Sequence, residues 1–598
     1  MRHKVIWFAF SCLMVLSLVL ASCGPSEPTT PASPTTQTSP TSSSQPTNTT
    51  TPTTPSGSTG SQGPVYGGSF TFIGSDPTGF DDGITMYITN GTCYLTNEDL
   101  LQGNWMKGPA GTNEISWMQG IVGRMEMLTG ALAESYELVG SDTIIFHIRK
   151  GVYWQNKPPV NGREYTAEDA AWNLQRHFET PTAYLSRTWP VGQRPTEYHV
   201  LDKYTLEVKA PSATQGVMAM ISGASARHFP PDMVEMYGDM TDWHNSCGTG
   251  PFMLTDYVPG SSMTYTRNPN YWMEDPANPG YTLPYTDTVK QLIIPDKSTR
   301  LAGLRTGKLD ALHEYSFEDK ESLVKTRPDL QFNYRLAPPD ALFTRLDKPE
   351  LPTSDIRVRW AMNMAIDRQS IVDDYYQGHA ELFGYPYPPL KEHEPFYVPL
   401  SEMPQTVQDY YNYNPDKAKQ MLKEAGYPDG FKITVICEVG DSDFVSIIAD
   451  YMSAINIDLE IQALETSIYT TTLRARKHDA MIYTETKTYS FPFRMLDCIK
   501  SNPDNVAFWE TPQTVETYAK VNASVGKDDA EVARLLREIT PHRLEQASGI
   551  WMVSPEFYNI WQPWVKGYHG EFNIGYFNRS IFSKYLWIDQ NLKKSMGY

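Results

Sequence analysis

The chain runs to 598 residues, of which 40% are hydrophobic and 20% charged, with a formal net charge of −19. That length is more than one hydrophobic core can serve, and length alone allows about four domains. The acidity excludes a nucleic-acid binder, because phosphate recognition needs clustered Lys and Arg, and it reads as a solvated surface.

Arg2, His3 and Lys4 precede an apolar run over 5–21. The run is short for a spanning helix and ends in small residues, which reads as a signal peptide. Leu20-Ala21-Ser22-Cys23 resembles the bacterial lipobox, in which the cysteine is lipidated on sulfur and becomes the acylated mature N-terminus. Cys23 is thus the expected lipidation site; the alternative is a plain signal peptide with an incidental cysteine. Several acyl chains would anchor stably where one would be marginal. Residues 24–63 are dominated by Thr, Pro, Ser and Gln, with Glu27 the only charge. Such a stretch can bury no core and reads as a disordered tether.

Besides Cys12 and Cys23 the cysteines are Cys93, Cys247, Cys437 and Cys498. No CxxC pair points to a zinc ribbon or a thioredoxin-like motif. In an exported protein the last four allow up to two disulfides, in any of the three pairings.

Gly67-Gly68-Ser69-Phe70-Thr71-Phe72-Ile73 reads as a strand ended by Ser75-Asp76-Pro77. Residues 143–150 alternate, with Ile144, Phe146 and Ile148 on one face. His147 falls on the other, outer face, and no second histidine stands at metal-ligand spacing. Trp154 suits core packing better than ligand stacking. Thr166 is a good N-cap, with Glu168 and Asp169 in the first turn and Ala170, Leu174 and Phe178 at helical spacing.

Residues 248–272 hold two strand-like runs, 252–257 and 262–267, around the turn signal Pro259-Gly260. Gly248 and Gly250 imply a backbone held tightly or at positive φ. Residues 354–378 read as a helix capped by Ser354 or Asp355 and stopped at Gly378, with Asp367-Arg368 as an ion pair or cap. Asn414 caps a further helix that ends at Gly426, and a strand over 431–437 follows, a step of an α/β lobe. Gly303-x-x-x-Gly307-Lys308 is one residue short of a phosphate loop, and Leu309 replaces its Ser or Thr. Ser322 and Lys325 have SxxK spacing without the other β-lactamase motifs.

The string GTGPF…PG…RNPNYW over 248–272 resembles the family 5 extracellular solute-binding proteins that serve peptide and nickel ABC importers. Further segments match the family in order: the strand before Asp76-Pro77, Leu132-Ala133-Glu134-Ser135, Arg149-Lys150-Gly151-Val152 with Trp154, and Thr166-Ala167-Glu168-Asp169. The run from Asp355 to Val372 and the helix ending in Glu424-Ala425-Gly426-Tyr427-Pro428-Asp429-Gly430 continue it. The resemblance implies an α/β fold of two lobes, periplasmic-binding-protein type II-like, with an extra subdomain in the first lobe at about 100–244. It places the first lobe at 64–335, the second at 336–550 and a return to the first at 551–598, with crossings near 330–339 and 542–555. It implies a monomeric, non-enzymatic binding protein without cofactor or metal, working with ABC permease subunits on the extracytoplasmic face, in the periplasm or at the cell surface. The ligand would be a peptide-like or other small solute.

One family position departs. Peptide-binding members carry an aspartate that pairs with the ligand's α-amino group, and here Thr488 stands there, before Tyr489, Phe491 and Pro492. A hydroxyl cannot offset the desolvation of an ammonium as a carboxylate can. Ordinary free-amine peptides are therefore expected to bind weakly, and a sugar or modified peptide better. Glu485 either takes over the charge or is a solvated strand end. Tyr489, Phe491 and Trp509 are aromatic candidates for the cleft wall. The alternative function is a lipid-anchored extracytoplasmic hydrolase, against which stands the lack of GxSxG, HExxH or P-loop motifs.

Overall fold

The alternation over 252–267 folds into a hairpin. In the computed structural model, which describes residues 63–85, 93–118, 124–486, 493–575 and 579–598, Phe252–Val258 and Ser262–Arg267 pair antiparallel. Met263 and Tyr265 are buried, whereas Thr264 and Thr266 are half-buried on the opposite face. Gly260 takes φ 68° in the turn. Gly248 and Gly250 serve close approach rather than positive φ: a Cβ on them would lie 1.9 Å from the Thr96 carbonyl oxygen and 2.7 Å from that of Leu95. Thr288–Leu292 extends the sheet and Ser69–Ile73 closes it by parallel pairing.

The strands Ala133–Val139, Thr143–Ile148, Thr205–Lys209 and Glu197–Asp202 form a second, antiparallel sheet in that order. Ile144, Phe146 and Ile148 are buried, and His147 on the outer face lies 2.9 Å from Glu137. The Thr166 N–H donates to Asp169 Oδ2 at 2.9 Å, capping the helix Ala167–Glu179. Trp154 is a core residue at 2% exposure, edge-on to Tyr165.

Phe431–Glu438 runs parallel to Ile457–Leu464 and Met481–Glu485, and Asp340–Thr344 and Gly549–Trp551 complete a five-stranded sheet. Gln331–Leu336 and Ser554–Trp561 belong to a separate sheet with Ala311–Tyr315. The chain thus passes between the sheets twice, through Ala337-Pro338-Pro339 and through Met552-Val553. Ala380–Glu381 pairs with Ser554–Trp561 beside the second passage. The result is a two-lobed α/β fold of the periplasmic-binding-protein type II kind.

The stretch 354–378 is not one helix. Asp355 caps Ile356–Met364, and Asp367 then caps a new turn, Arg368–Ser370, which runs into the π turn Ile371–Tyr375. The break lets buried Arg368 donate to the carbonyls of Asn363 and Trp551 and to Asn363 Oδ1, so Asp367 acts as the cap. Asn414 caps Pro415–Glu424 as expected, and Gly426 takes φ 97°. Cys93, Cys247, Cys437 and Cys498 are all buried, and no disulfide joins them. Burial pushes the Cys247 thiol up to about 12.

The helix Gln215–Ala224 is buried at every position. Its Val217 and Ile221 share one apolar core with Val521 and Val525, and with Val532, Leu535 and Ile539 of Asp529–Glu545. A Cβ on Gly216 would lie 1.8 Å from the Val525 carbonyl oxygen. The helix Gln215–Ala224 therefore packs directly on helices that lead into the five-stranded sheet. Among the described residues no helix is long and apolar enough to cross a membrane.

Candidate ligand-binding cleft

The strand Met481–Glu485 ends at the first passage between lobes. Thr486 ties it there, its N–H and Oγ1 donating to the Pro339 carbonyl at 3.1 and 2.6 Å. One residue back, Glu485 pairs in register with Asp340, the first residue of its strand. Tyr483 Oη donates to Asp340 Oδ2 at 2.9 Å. Burial raises the Asp340 carboxyl to about 7, against the Tyr483 hydrogen bond, and the charges of Glu485 and Asp441 add to the rise. Asp441 rises to about 6, through burial and then Glu438 and Glu485. Glu438 and Glu485 close the parallel strands at their carboxyl ends, where open α/β sheets bind ligands. Tyr376 and Tyr375 pack with Phe444 close by. This end of the second lobe is a concentration of carboxyl groups with aromatic walls, an environment that favours a cation.

Of the residues expected from sequence, the structure places Glu485 here, exposed at its strand end. Thr488, Tyr489 and Phe491 lie outside the described residues, as does Cys23. Trp509 is not on the cleft wall. It is 6% exposed and packs in the second-lobe core with Phe343, Tyr385 and Trp551, while its N–H and carbonyl both bond the Asn505 side chain. Sequence reasoning missed Asp340 and Asp441. The one local signal was an acid directly after Pro338-Pro339, at the expected crossing.

The first lobe carries its own polar set. Glu314, on Ala311–Tyr315, pairs with Arg335 of Gln331–Leu336 at 2.5 Å. His313 stacks on Phe572 with ring centroids 4.6 Å apart, and burial lowers its imidazole to about 3. Ser116 Oγ donates to Glu392 Oε1 of the second lobe at 3.1 Å. At the second passage His379 Nδ1 lies 2.8 Å from Glu556 Oε2, which also accepts from Tyr558 Oη, and the His379 ring stacks on Phe317.

A separate recess of about 540 Å³ lies on the second-lobe sheet, lined by Thr434, Ile436, Glu460, Gln462 and His478, and includes none of these residues. Among the described residues no group of three His, Cys, Asp or Glu is arranged to hold a metal ion.

A two-lobed α/β body joined by two passages, with carboxyl and aromatic groups gathered beside them, has the architecture of the solute-binding proteins. Residues 128–505 match the family described as bacterial extracellular solute-binding proteins, family 5 Middle, and the chain belongs to that family. It is similar to the dipeptide-binding protein of Pseudomonas aeruginosa, 24% identical over 492 residues, covering 76% of this chain and 85% of that one. It is also similar to heme-binding protein A of Haemophilus influenzae, 27% identical over 317 residues, which is 50% of this chain. That match spans about half, 54%, of the relative's length. Among solved structures, the periplasmic binding protein DppA of Helicobacter pylori in complex with peptide STSA superposes with a TM-score of 0.67 at 20% identity. The match covers 88% of this chain and 99% of that one. These relatives are named as binding proteins, and nothing in the comparisons supports the hydrolase alternative.

Proposed function

We propose that this chain captures a small solute carrying a protonated amine, of peptide type, between its lobes and hands it to an ABC import permease without chemical change. The observation that carries this reading is the Asp340–Glu485 pair with Asp441 beside it. Asp340 and Asp441, raised chiefly by burial and further by the neighbouring carboxylates, are relieved by a bound cation, so an ammonium there finds charge it can pair with. Glu485 then supplies the charge absent at Thr488, and the expectation of a neutral ligand gives way. Tyr489 and Phe491 are the proposed aromatic neighbours, and Trp509 contributes only through packing. The names of the dipeptide-binding relative and of the peptide complex support the ligand class.

In the same reading Cys23 anchors the protein to the extracytoplasmic face of the cell membrane through residues 24–63, and the body works as a monomer. The lobes are 64–335, with the extra subdomain at about 100–244, and 336–550, with residues 551–598 returning to the first. Mass spectrometry of small molecules released from purified protein is the test. An amine-bearing solute that also raises the melting temperature on re-addition supports it, whereas turnover of that solute would make the protein an enzyme.

A further inference from the structure

The five-stranded sheet carries a recess that solute capture between the lobes does not use. Phe431–Glu438 and Ile457–Leu464 pair in parallel, with Thr434 opposite Glu460 and Ile436 opposite Gln462, so these four side chains share one face of the sheet. The helix Thr466–Arg474 covers only part of that face. Its Tyr469 and Leu473 pack with Ile436 and Leu464, whereas Thr434 is half-buried and Glu460 and Gln462 are exposed. The space left is the recess of about 540 Å³, with residues 477–480 as a further wall. That size falls within the range of small-molecule sites. The further wall is held in place: Arg345 Nη1 donates to the His478 carbonyl at 2.8 Å, and Lys348 Nζ to that of Asp479 at 2.7 Å.

His478 is the unusual member of this lining. It is 1% exposed, and among the described residues neither ring nitrogen has a hydrogen-bond partner. Burial, and after it the Arg345 charge, lowers its imidazole to about 4. At neutral pH the ring is therefore uncharged, with one N–H donor and one bare acceptor, both costly to leave unpaired away from water. A hydroxyl both donates and accepts, so it can satisfy either nitrogen. The charges of the lining are already matched. Glu460 pairs with Lys432 at 3.3 Å and Asp479 with Lys348 at 3.6 Å, so neither acid calls for a cation, and an anion would meet both. Ile468, 56% exposed on the helix, adds an apolar surface.

We propose that this recess binds a neutral polyhydroxyl compound of mono- or disaccharide size, at a site apart from the interlobe cleft. A ligand hydroxyl pairs with the His478 imidazole, others meet the Thr434 hydroxyl and the Gln462 carboxamide, and the apolar face of the sugar ring rests on Ile468. The site is independent of what the cleft carries, so it stands or falls apart from the peptide-type reading.

The test is methyl NMR of the full chain, labelled at the isoleucine δ1 methyls and titrated with glucose, maltose and trehalose, with gluconate as the anionic control. The Ile468 signal is identified by its absence in Ile468→Val. At least one of the three sugars should shift that signal saturably, and gluconate should need about tenfold or more higher concentration. His478→Phe, which keeps a ring but removes both polar atoms, should weaken the sugar about tenfold or more. An Ile468 signal that no sugar moves, an equal response to gluconate, or a response unaltered in His478→Phe overturns the proposal. A sugar that binds without moving Ile468 sits elsewhere and overturns it too. Should His478→Phe fail to fold, Gln462→Leu at its exposed position takes its place, with the same loss expected and an unaltered response equally decisive.

Discussion

Asp340 and Glu485 stand opposite each other in register on neighbouring strands, at the point where the chain first enters the second lobe. Antiparallel neighbours of like charge repel, and burial of one of them makes the repulsion harder to screen. The pair is tolerable when a proton or a ligand cation sits between the two.

Burial of Asp340 and Asp441, with that repulsion added, sets a pH dependence for the ligand-free protein. Folding raises Asp340 from 3.8 to about 7 and Asp441 from 3.8 to about 6, so between about pH 4 and 7 the folded state holds more protons than the unfolded chain. These groups therefore favour the fold most below pH 4, and their contribution declines as pH rises through that window, by on the order of 2 kcal/mol or more in sum. Urea denaturation at a series of pH values should show the decline, and Asp340→Asn should flatten it. A curve unchanged by Asp340→Asn would show that Asp340 ionises like an ordinary carboxyl.

Ligand binding should run the other way. An ammonium ligand needs the carboxyls ionised, so affinity for a free-amine dipeptide should rise from pH 5 to pH 8 and binding should release protons near pH 6. Calorimetry in buffers of differing ionisation enthalpy measures that release. Glu485→Gln should weaken the dipeptide by about 100-fold while leaving its N-acetyl form unaffected. Equal losses for both forms would assign Glu485 to something other than the amine.

Local features were legible in the sequence. The 252–267 hairpin, the Thr166 cap and the helix from Asn414 to Gly426 each depend on residues within one or two turns. The acidic end was not legible, because Asp340, Asp441 and Glu485 are brought together by strand order, which no local pattern encodes. Trp509 misled for a related reason: an aromatic residue reads the same whether the fold turns it to a cleft or to the core around Trp551. The helix break before Arg368 was hidden because the apolar stripe continues through it, and only the buried guanidinium's need for carbonyl partners explains it.

The anchor can be tested apart from the cleft. Cys23→Ser should move the protein from the membrane fraction to the soluble fraction and remove the lipid mass from the N-terminus, without changing ligand affinity. Membrane retention with an unaltered N-terminal mass would leave the Leu20–Cys23 box without a role.

Closure should be adjustable at Gly216. The first-lobe helix Gln215–Ala224 meets the end of Pro512–Ser524 so closely that a Cβ on Gly216 would lie 1.8 Å from the Val525 carbonyl oxygen. Backbone cannot move aside as a flexible side chain can, so Gly216→Ala must push the two elements apart. Overpacking of this kind costs about 1–3 kcal/mol, and that cost falls on any arrangement of the lobes that keeps this contact. The variant should therefore show a larger radius of gyration by small-angle scattering. It should bind its ligand about 5- to 100-fold more weakly, through faster release, because a ligand that bridges the lobes must draw them back together. Circular dichroism should remain that of the wild type, since both elements keep their own hydrogen bonds. An unchanged radius with unchanged affinity would mean that the seam is a fixed part of the body, and that any motion occurs only between the two interlobe passages.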